Sequence, residues 1–387
     1  MYFGLELLFK SSERIDLMPE GNIRHMYPGG NTPGGFFSYY RYIIDSTKAR
    51  KIFVLKGGPG TGKSTLMRRV GLELAKQGFN IEFMHCSSDN NSLDGVVIPE
   101  LMVAMLDGTS PHVVDPVYPG AVDEIINLGQ FWREEGFSES REDIMILNKK
   151  IKVCYARAYR YLRAAASLKE DTETIFEEAL DKGREALFIH DLKEMLFDKG
   201  IPSKIRGMQR CLFASAITPR GFSDYLDSIC AAGKIIRLSA PAGGTTHRIL
   251  DALKNEALIR GFNCETYFCP MSPLNIEHMV IPELKVSVLT ANEYHDISDI
   301  NNENCTTYLI NDFYDKAVLE DHGKQLGFNR LYTEALLQRA IECIADAKAF
   351  HDDLEKHYIK NMDFEGLTQF RDSLLERIIA YAGTLST

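Results

Sequence analysis

The chain has 387 residues, 45% of them hydrophobic and 25% charged, with a formal net charge of -10. That length exceeds one ordinary core and predicts two domains, while the acidic balance argues against non-specific binding to nucleic acid or an anionic membrane. No apolar run approaches the roughly 20 residues of a membrane-spanning helix, so a soluble, cytoplasmic protein with no membrane partner is the expectation.

In chain order, residues 1–22 read as an N-terminal extension. The opening string lacks the basic start and long apolar core of a signal peptide, and patterned sequence begins near Ile23. Residues 51–56 predict a buried strand, because Ile52, Phe53, Val54 and Leu55 are consecutive and apolar. A glycine-rich turn follows. Residues 64–77 then predict a helix, with Leu66, Met67, Val70, Leu74 and Ala75 at helical spacing and Gly78 as its stop. Short strands are expected over 81–85 and 101–106. Buried strands alternating with helices imply α/β architecture with a mostly parallel sheet covered on both faces. Residues 139–198 have a different texture: Ile144, Leu147, Ile151 and Tyr155 share one helix face. They predict a helical hairpin attached to the sheet, a core element by default and a lid or protein-partner surface as the alternative. The string from Asp198 to Ser203 breaks that helical run.

The sequence is written twice. Shifted by 183 positions, residues 51–101 align with 234–284 without a gap, and 15 of 51 positions are identical, where chance gives about 3. Gly78-Phe79-Asn80 meets Gly261-Phe262-Asn263, and Val97-Ile98-Pro99-Glu100-Leu101 meets Val280-Ile281-Pro282-Glu283-Leu284. Two tandem domains are therefore expected, 23–205 and 206–387. The eight cysteines form no CxxC pair and are expected to be reduced thiols.

The segment Gly57-Gly58-Pro59-Gly60-Thr61-Gly62-Lys63-Ser64-Thr65 fits G-x-x-x-x-G-K-[ST], between a predicted strand and a predicted helix. Glycines there let backbone N–H groups approach phosphate oxygens, and the helix N-terminus adds dipole and unpaired donors. Lys63 is the candidate cation for the β- and γ-phosphates, and Ser64 a candidate Mg2+ ligand. Thr65 is either a further phosphate contact or an ordinary helix residue. The apolar run from Leu101 to Leu106 closes on Asp107, the candidate carboxylate for Mg2+, with a turn-forming acid before Gly108 as the alternative. Asp89 and Asp94, read as residues of a polar loop, are candidates to orient a water or hydroxyl nucleophile, with capping or turn formation as the plainer role. His85 and His112 are weaker candidates, read first as packed or hydrogen-bonded residues.

At these residues the chain resembles the P-loop NTPase superfamily, and more closely a bacterial family of tandem P-loop proteins labelled ATPases or nucleotide-kinase-like. The strings that carry the resemblance are Tyr27-Pro28-Gly29-Gly30-Asn31-Thr32, the loop above, His85-Cys86-Ser87-Ser88-Asp89, residues 93–101 and residues 106–116. The resemblance implies the fold and nucleotide binding, with ATP and Mg2+ as cofactors, and no particular substrate.

In the second repeat the charged positions are replaced. Gly57-Gly58-Pro59-Gly60 becomes Ala240-Pro241-Ala242-Gly243, Lys63 becomes Thr246, Ser64 becomes His247 and Asp107 falls opposite Thr290. The leading expectation is Mg2+-dependent ATP hydrolysis by the first domain beside an inert second one. The rivals are a nucleotide or small-molecule kinase, with the helical hairpin as lid, and a nucleotide-dependent assembly factor that binds a protein through its hairpins.

Overall fold

The computed structural model describes residues 20–110, 113–197, 203–230, 233–295, 297, 300 and 304–383. The expected N-terminal extension lies outside them except for its last three residues, and His112 lies outside them as well.

The first half contains β1 (Ile23–Met26), β2 (Gly29–Thr32), β3 (Gly35–Ser38), β4 (Lys51–Lys56), α1 (Lys63–Ala75), β5 (Ile81–Cys86), β6 (Asp89–Ile98), β7 (Val103–Asp107), β8 (Asp123–Asn127), α2 (Arg141–Ala179) and α3 (Lys182–Leu196). The second half repeats the order with β9 (Gln209–Leu212), β10 (Ser215–Thr218), β11 (Gly221–Asp224), α4 (Leu226–Ile229), β12 (Lys234–Ser239), α5 (Thr246–Ile259), β13 (Cys264–Cys269), β14 (Ser272–Ile281), β15 (Val286–Ala291), β16 (Cys305–Leu309), α6 (Lys316–Asp321), α7 (Gly323–Ile359) and α8 (Phe364–Gly383). Each half builds one six-stranded sheet, in the orders β1-β5-β6-β7-β4-β8 and β9-β13-β14-β15-β12-β16. All neighbours are parallel except those of β6 and β14. The protein is thus α/β, with two mostly parallel sheets flanked by helices.

The antiparallel strand β6 replaces the loop expected around Asp89 and Asp94. Its first half, Asp89-Asn90-Asn91-Ser92, has poor strand propensity, and hairpin pairing with β5 supplies what the local sequence does not. The strings shared by the two repeats form a clasp. The Asn80 amide N–H donates to Glu100 Oε1 at 3.1 Å, and Asn263 N–H donates to Glu283 Oε1 at 3.2 Å.

Residues of β4 alternate between two cores. Phe53 and Leu55 face α1 and α8. Ile52 and Val54 join Leu212, Tyr267 and Leu289 of the second half in a core shared between the sheets. The halves also meet at Tyr27 and Phe213, whose backbones exchange two hydrogen bonds of 2.9 Å. Beside this bridge, Arg24, Glu82, Arg210 and Glu265 form a largely buried ion network. Arg24 reaches Glu82 at 3.1 Å and Glu265 at 2.5 Å, and Arg210 reaches Glu82 at 2.6 Å.

The long helices are exchanged between halves. At 39 residues, α2 spans about 58 Å, which carries the chain from the first sheet to the second. There α3 packs on α5, while α8 of the second half packs on α1 of the first. The hairpin expected within each half is therefore replaced by the antiparallel pair α2–α7, with Lys360 bonded to Ser140 near one end and Asn329 to Asp171 near the other. Its seam is built on small residues, Ala158, Ala165 and Ala340, all 0% exposed. An Ala340→Leu substitution should overpack this seam and cost about 1–3 kcal/mol, read as a lower urea midpoint; an unchanged midpoint would show that the seam can adjust.

Candidate functional site

The glycine loop lies between β4 and α1. Gly60 (φ 67°) and Gly62 (φ 78°) hold the left-handed backbone that favours glycine, and Gly62 is the residue from which α1 starts. Thr61 is buried, and its hydroxyl donates to Gly58 O at 2.9 Å. A Cβ at Gly57 would sit 2.9 Å from that hydroxyl, so the loop is closed on itself at this point.

Lys63 turns into the loop. Its Nζ donates to Gly57 O and Gly58 O, each at 2.9 Å, and lies 3.6 Å from Asp107 Oδ2. Asp107 is level with the loop because β7 pairs with β4 in the register Leu55↔Asp107. Its other oxygen accepts from Thr109 N at 2.9 Å. Ser64, in the first turn of α1, accepts the Leu93 N–H at 2.9 Å. The ammonium and hydroxyl read from the sequence therefore come from the first turn of α1, and the carboxylate from the end of β7. Pro59 is half-buried in the loop, and Thr65 is exposed.

A cover over this loop was not legible in the sequence. A Cβ on Gly58 would meet Tyr358 at 2.8 Å and Trp132 at 3.3 Å, one on Gly60 would meet Ile359 at 2.9 Å, and one on Gly62 would meet Leu367 at 3.0 Å. Tyr358, Ile359 and Leu367 belong to α7 and α8, so the second half roofs the loop of the first.

The remaining candidates are placed elsewhere. Asp89 pairs with Lys348 of α7 at 3.2 Å and accepts from Asn91 N at 2.9 Å; its partners are not Lys63 or the Ser64 hydroxyl. Asp94 is buried on β6, where the register with β5 shifts. His85 is buried against His25 and Tyr225, at 2.8 and 3.1 Å, which is the packed role read first.

Burial, helped by His25, pulls His85 down to about 3, and burial with His295 does the same to His278. Burial also lowers His25, His247 and His351, whereas Glu277 overcomes burial to raise His295. The unfolded chain takes up protons on all of these groups below pH 6.5, while the folded chain refuses most of them. Stability should therefore fall as the pH drops from 6.5 toward 3. A urea midpoint at pH 5 equal to that at pH 7 would contradict this.

The second repeat keeps the loop and replaces its charged side chains. Gly243 is left-handed (φ 91°) like Gly60. Where Lys63 faces Asp107, Thr290 donates to Thr246 at 3.1 Å instead. The Ala242 N–H, on the loop, is taken by Glu293 at 2.8 Å, and Thr245 N–H by Tyr314 at 2.9 Å. A carboxylate of the chain thus occupies a backbone donor of the kind a phosphate would use. The roof is repeated as well, since a Cβ on Gly243 would meet Thr172 of α2 at 2.9 Å.

No family model, no curated protein and no solved structure matches this chain.

Proposed function

We propose that the first half is a P-loop domain that binds ATP with Mg2+ at residues 57–65 and hydrolyses it, and that the second half is a degenerate copy without hydrolytic activity. The observation that carries this reading is the Lys63 ammonium held inside the glycine loop on two carbonyl oxygens. The ammonium rests on two neutral carbonyls beside Asp107, and exchange of those carbonyls for anionic phosphate oxygens would be favourable because hydrogen bonds between charged groups are the stronger ones. In this reading Ser64 and Asp107 would hold Mg2+, which would supply positive charge to the phosphates. Asp107 further anchors Lys63, and the helix N-terminus adds donors. ATP is preferred over GTP because the sequence carries no N-K-x-D guanine motif.

Asp107→Asn tests the metal half of the reading. Mg2+-dependent turnover should fall by about 10²-fold, with nucleotide affinity in the absence of Mg2+ nearly unchanged; full turnover would remove Asp107 from the site. Inertness of the second half has to be tested in the full chain, because a fragment starting near residue 208 would lack α2 and α3, which cover its sheet. Residual hydrolysis in Lys63→Ala reports on it directly.

A further inference from the structure

Beside the second loop lies a cavity of about 200 Å³, walled by α2 on one side and α7 on the other, with Pro241, Ala242, Gly243 and Gly244 of the loop along its wall. Here the polarity of the loop is reversed. In the first half an ammonium, that of Lys63, lies against the loop. In the second half the charged group in that role is a carboxylate: Glu293 Oε2 accepts the Ala242 N–H at 2.8 Å. Two further donors are used within the chain, Gly244 N–H by Pro241 O and Thr245 N–H by the Tyr314 hydroxyl, each at 2.9 Å. An anion entering the cavity meets spent donors and a like charge.

The side chains around the cavity carry the same sign. Among the described residues, Glu173, Glu277, Glu293 and Glu334 stand against Lys169, Arg330 and, when protonated, His295. Three pairs cancel: Lys169 with Glu173, Arg330 with Glu334 at 3.1 Å, and His295 with Glu277 at 3.0 Å. Arg330 also stands near Glu293, so one guanidinium serves two carboxylates there. The surplus charge belongs to Glu293, which is exposed and also lines the cavity, and therefore sits at its mouth.

Much of the remaining wall is aromatic or apolar. The Phe222 and Tyr294 rings lie 4.9 Å apart with their planes inclined at 32°, and Phe176 comes from α2. An apolar cavity of about 150 Å³ accommodates benzene, so this one has room for a ring with a short side chain. Aromatic faces attract a cation within about 6 Å of the ring centroid, and a carboxylate at the mouth adds a charge-assisted hydrogen bond.

We propose that the cavity of the second half binds a small organic cation, a protonated or quaternary amine on an apolar body, with its nitrogen beside Glu293 and its body against Phe176, Phe222 and Tyr294. The site is independent of nucleotide binding at Lys63.

The test is calorimetric titration of the full chain with two cations, 2-phenylethylamine and phenyltrimethylammonium, and with the uncharged 2-phenylethanol and the anionic 3-phenylpropionate as matched probes. At least one cation should bind at one site per chain, at least tenfold more tightly than the alcohol, with the carboxylate weaker still. Its affinity should fall at least tenfold in Glu293→Gln, which keeps an oxygen for the Ala242 amide. It should be lost in Thr333→Trp, which fills the cavity and whose folding is checked by melting temperature, and be unchanged in Lys63→Ala. Binding of neither cation, an alcohol or carboxylate bound as tightly as the cations, or cation binding indifferent to Glu293→Gln would overturn the proposal.

Discussion

Lys63→Ala is expected to lower ATP turnover by about 10²–10³-fold, on the scale of removing one preorganised electrostatic contact from a reacting site, and to weaken ATP binding as well. The side chain is 10% exposed and its three partners are Gly57 O, Gly58 O and Asp107. Only the last carries charge, and Asp107 keeps its bonds to Thr109 when the ammonium is removed. The fold should therefore survive, and melting temperature serves as the control. Turnover close to wild type in a folded Lys63→Ala protein would show that hydrolysis arises elsewhere. Turnover at background would also show that the second half, with Thr246 opposite Thr290, contributes none.

The second large effect is expected at the junction of the two halves. Arg210 donates to both oxygens of Glu82, at 3.0 and 2.6 Å, and also to the Tyr42 and Ile43 carbonyls, at 3.0 and 2.7 Å. Arg24 bridges Glu82 to Glu265. Two carboxylates and two guanidinium groups balance one another where the exposure of each side chain is between 7% and 24%. Arg210→Ala leaves two buried carboxylates sharing one cation and should cost about 3–5 kcal/mol. An exposed pair such as Lys76–Glu73 should cost no more than about 1 kcal/mol when broken. Urea denaturation of the two variants makes the comparison. Because the sheets share one core, the loss should appear as a shift of a single transition; a separate early transition of one half would contradict the shared core.

The parts of the structure legible in the sequence are those encoded locally. Four consecutive apolar residues, a glycine run and a helical stripe define β4, the loop and α1 without distant partners, and the helix expected over 64–77 spans Lys63–Ala75. Internal repetition exposed another layer, since Asn80 with Glu100 and Asn263 with Glu283 recur because the same clasp is built twice. What was hidden depends on distant partners. Nothing in the spacing of α2 says that its far end serves the other sheet, because an apolar stripe specifies a buried face and not its occupant. The roof of Tyr358 and Ile359 is invisible for the same reason. The bulges at Asp94 and Glu277 could have been suspected, since the two acids align in the repeat, but only strand register shows that each is the extra residue of its ladder.

The exchanged helices also bear on the glycine loop. One continuous helix, α7, lines the second-half cavity with Arg330 and Leu337 and covers the first-half loop with Tyr358 and Ile359. Its C-terminal turn lies directly against Gly58 and Gly60 of that loop.

Calorimetric titration of the full chain with a slowly hydrolysed ATP analogue and Mg2+, in wild type, Lys63→Ala and Thr246→Ala, addresses the loop assignment most directly. One site per chain is expected in wild type and Thr246→Ala, with that site lost in Lys63→Ala. Undiminished binding in a folded Lys63→Ala protein would place the nucleotide somewhere other than the glycine loop.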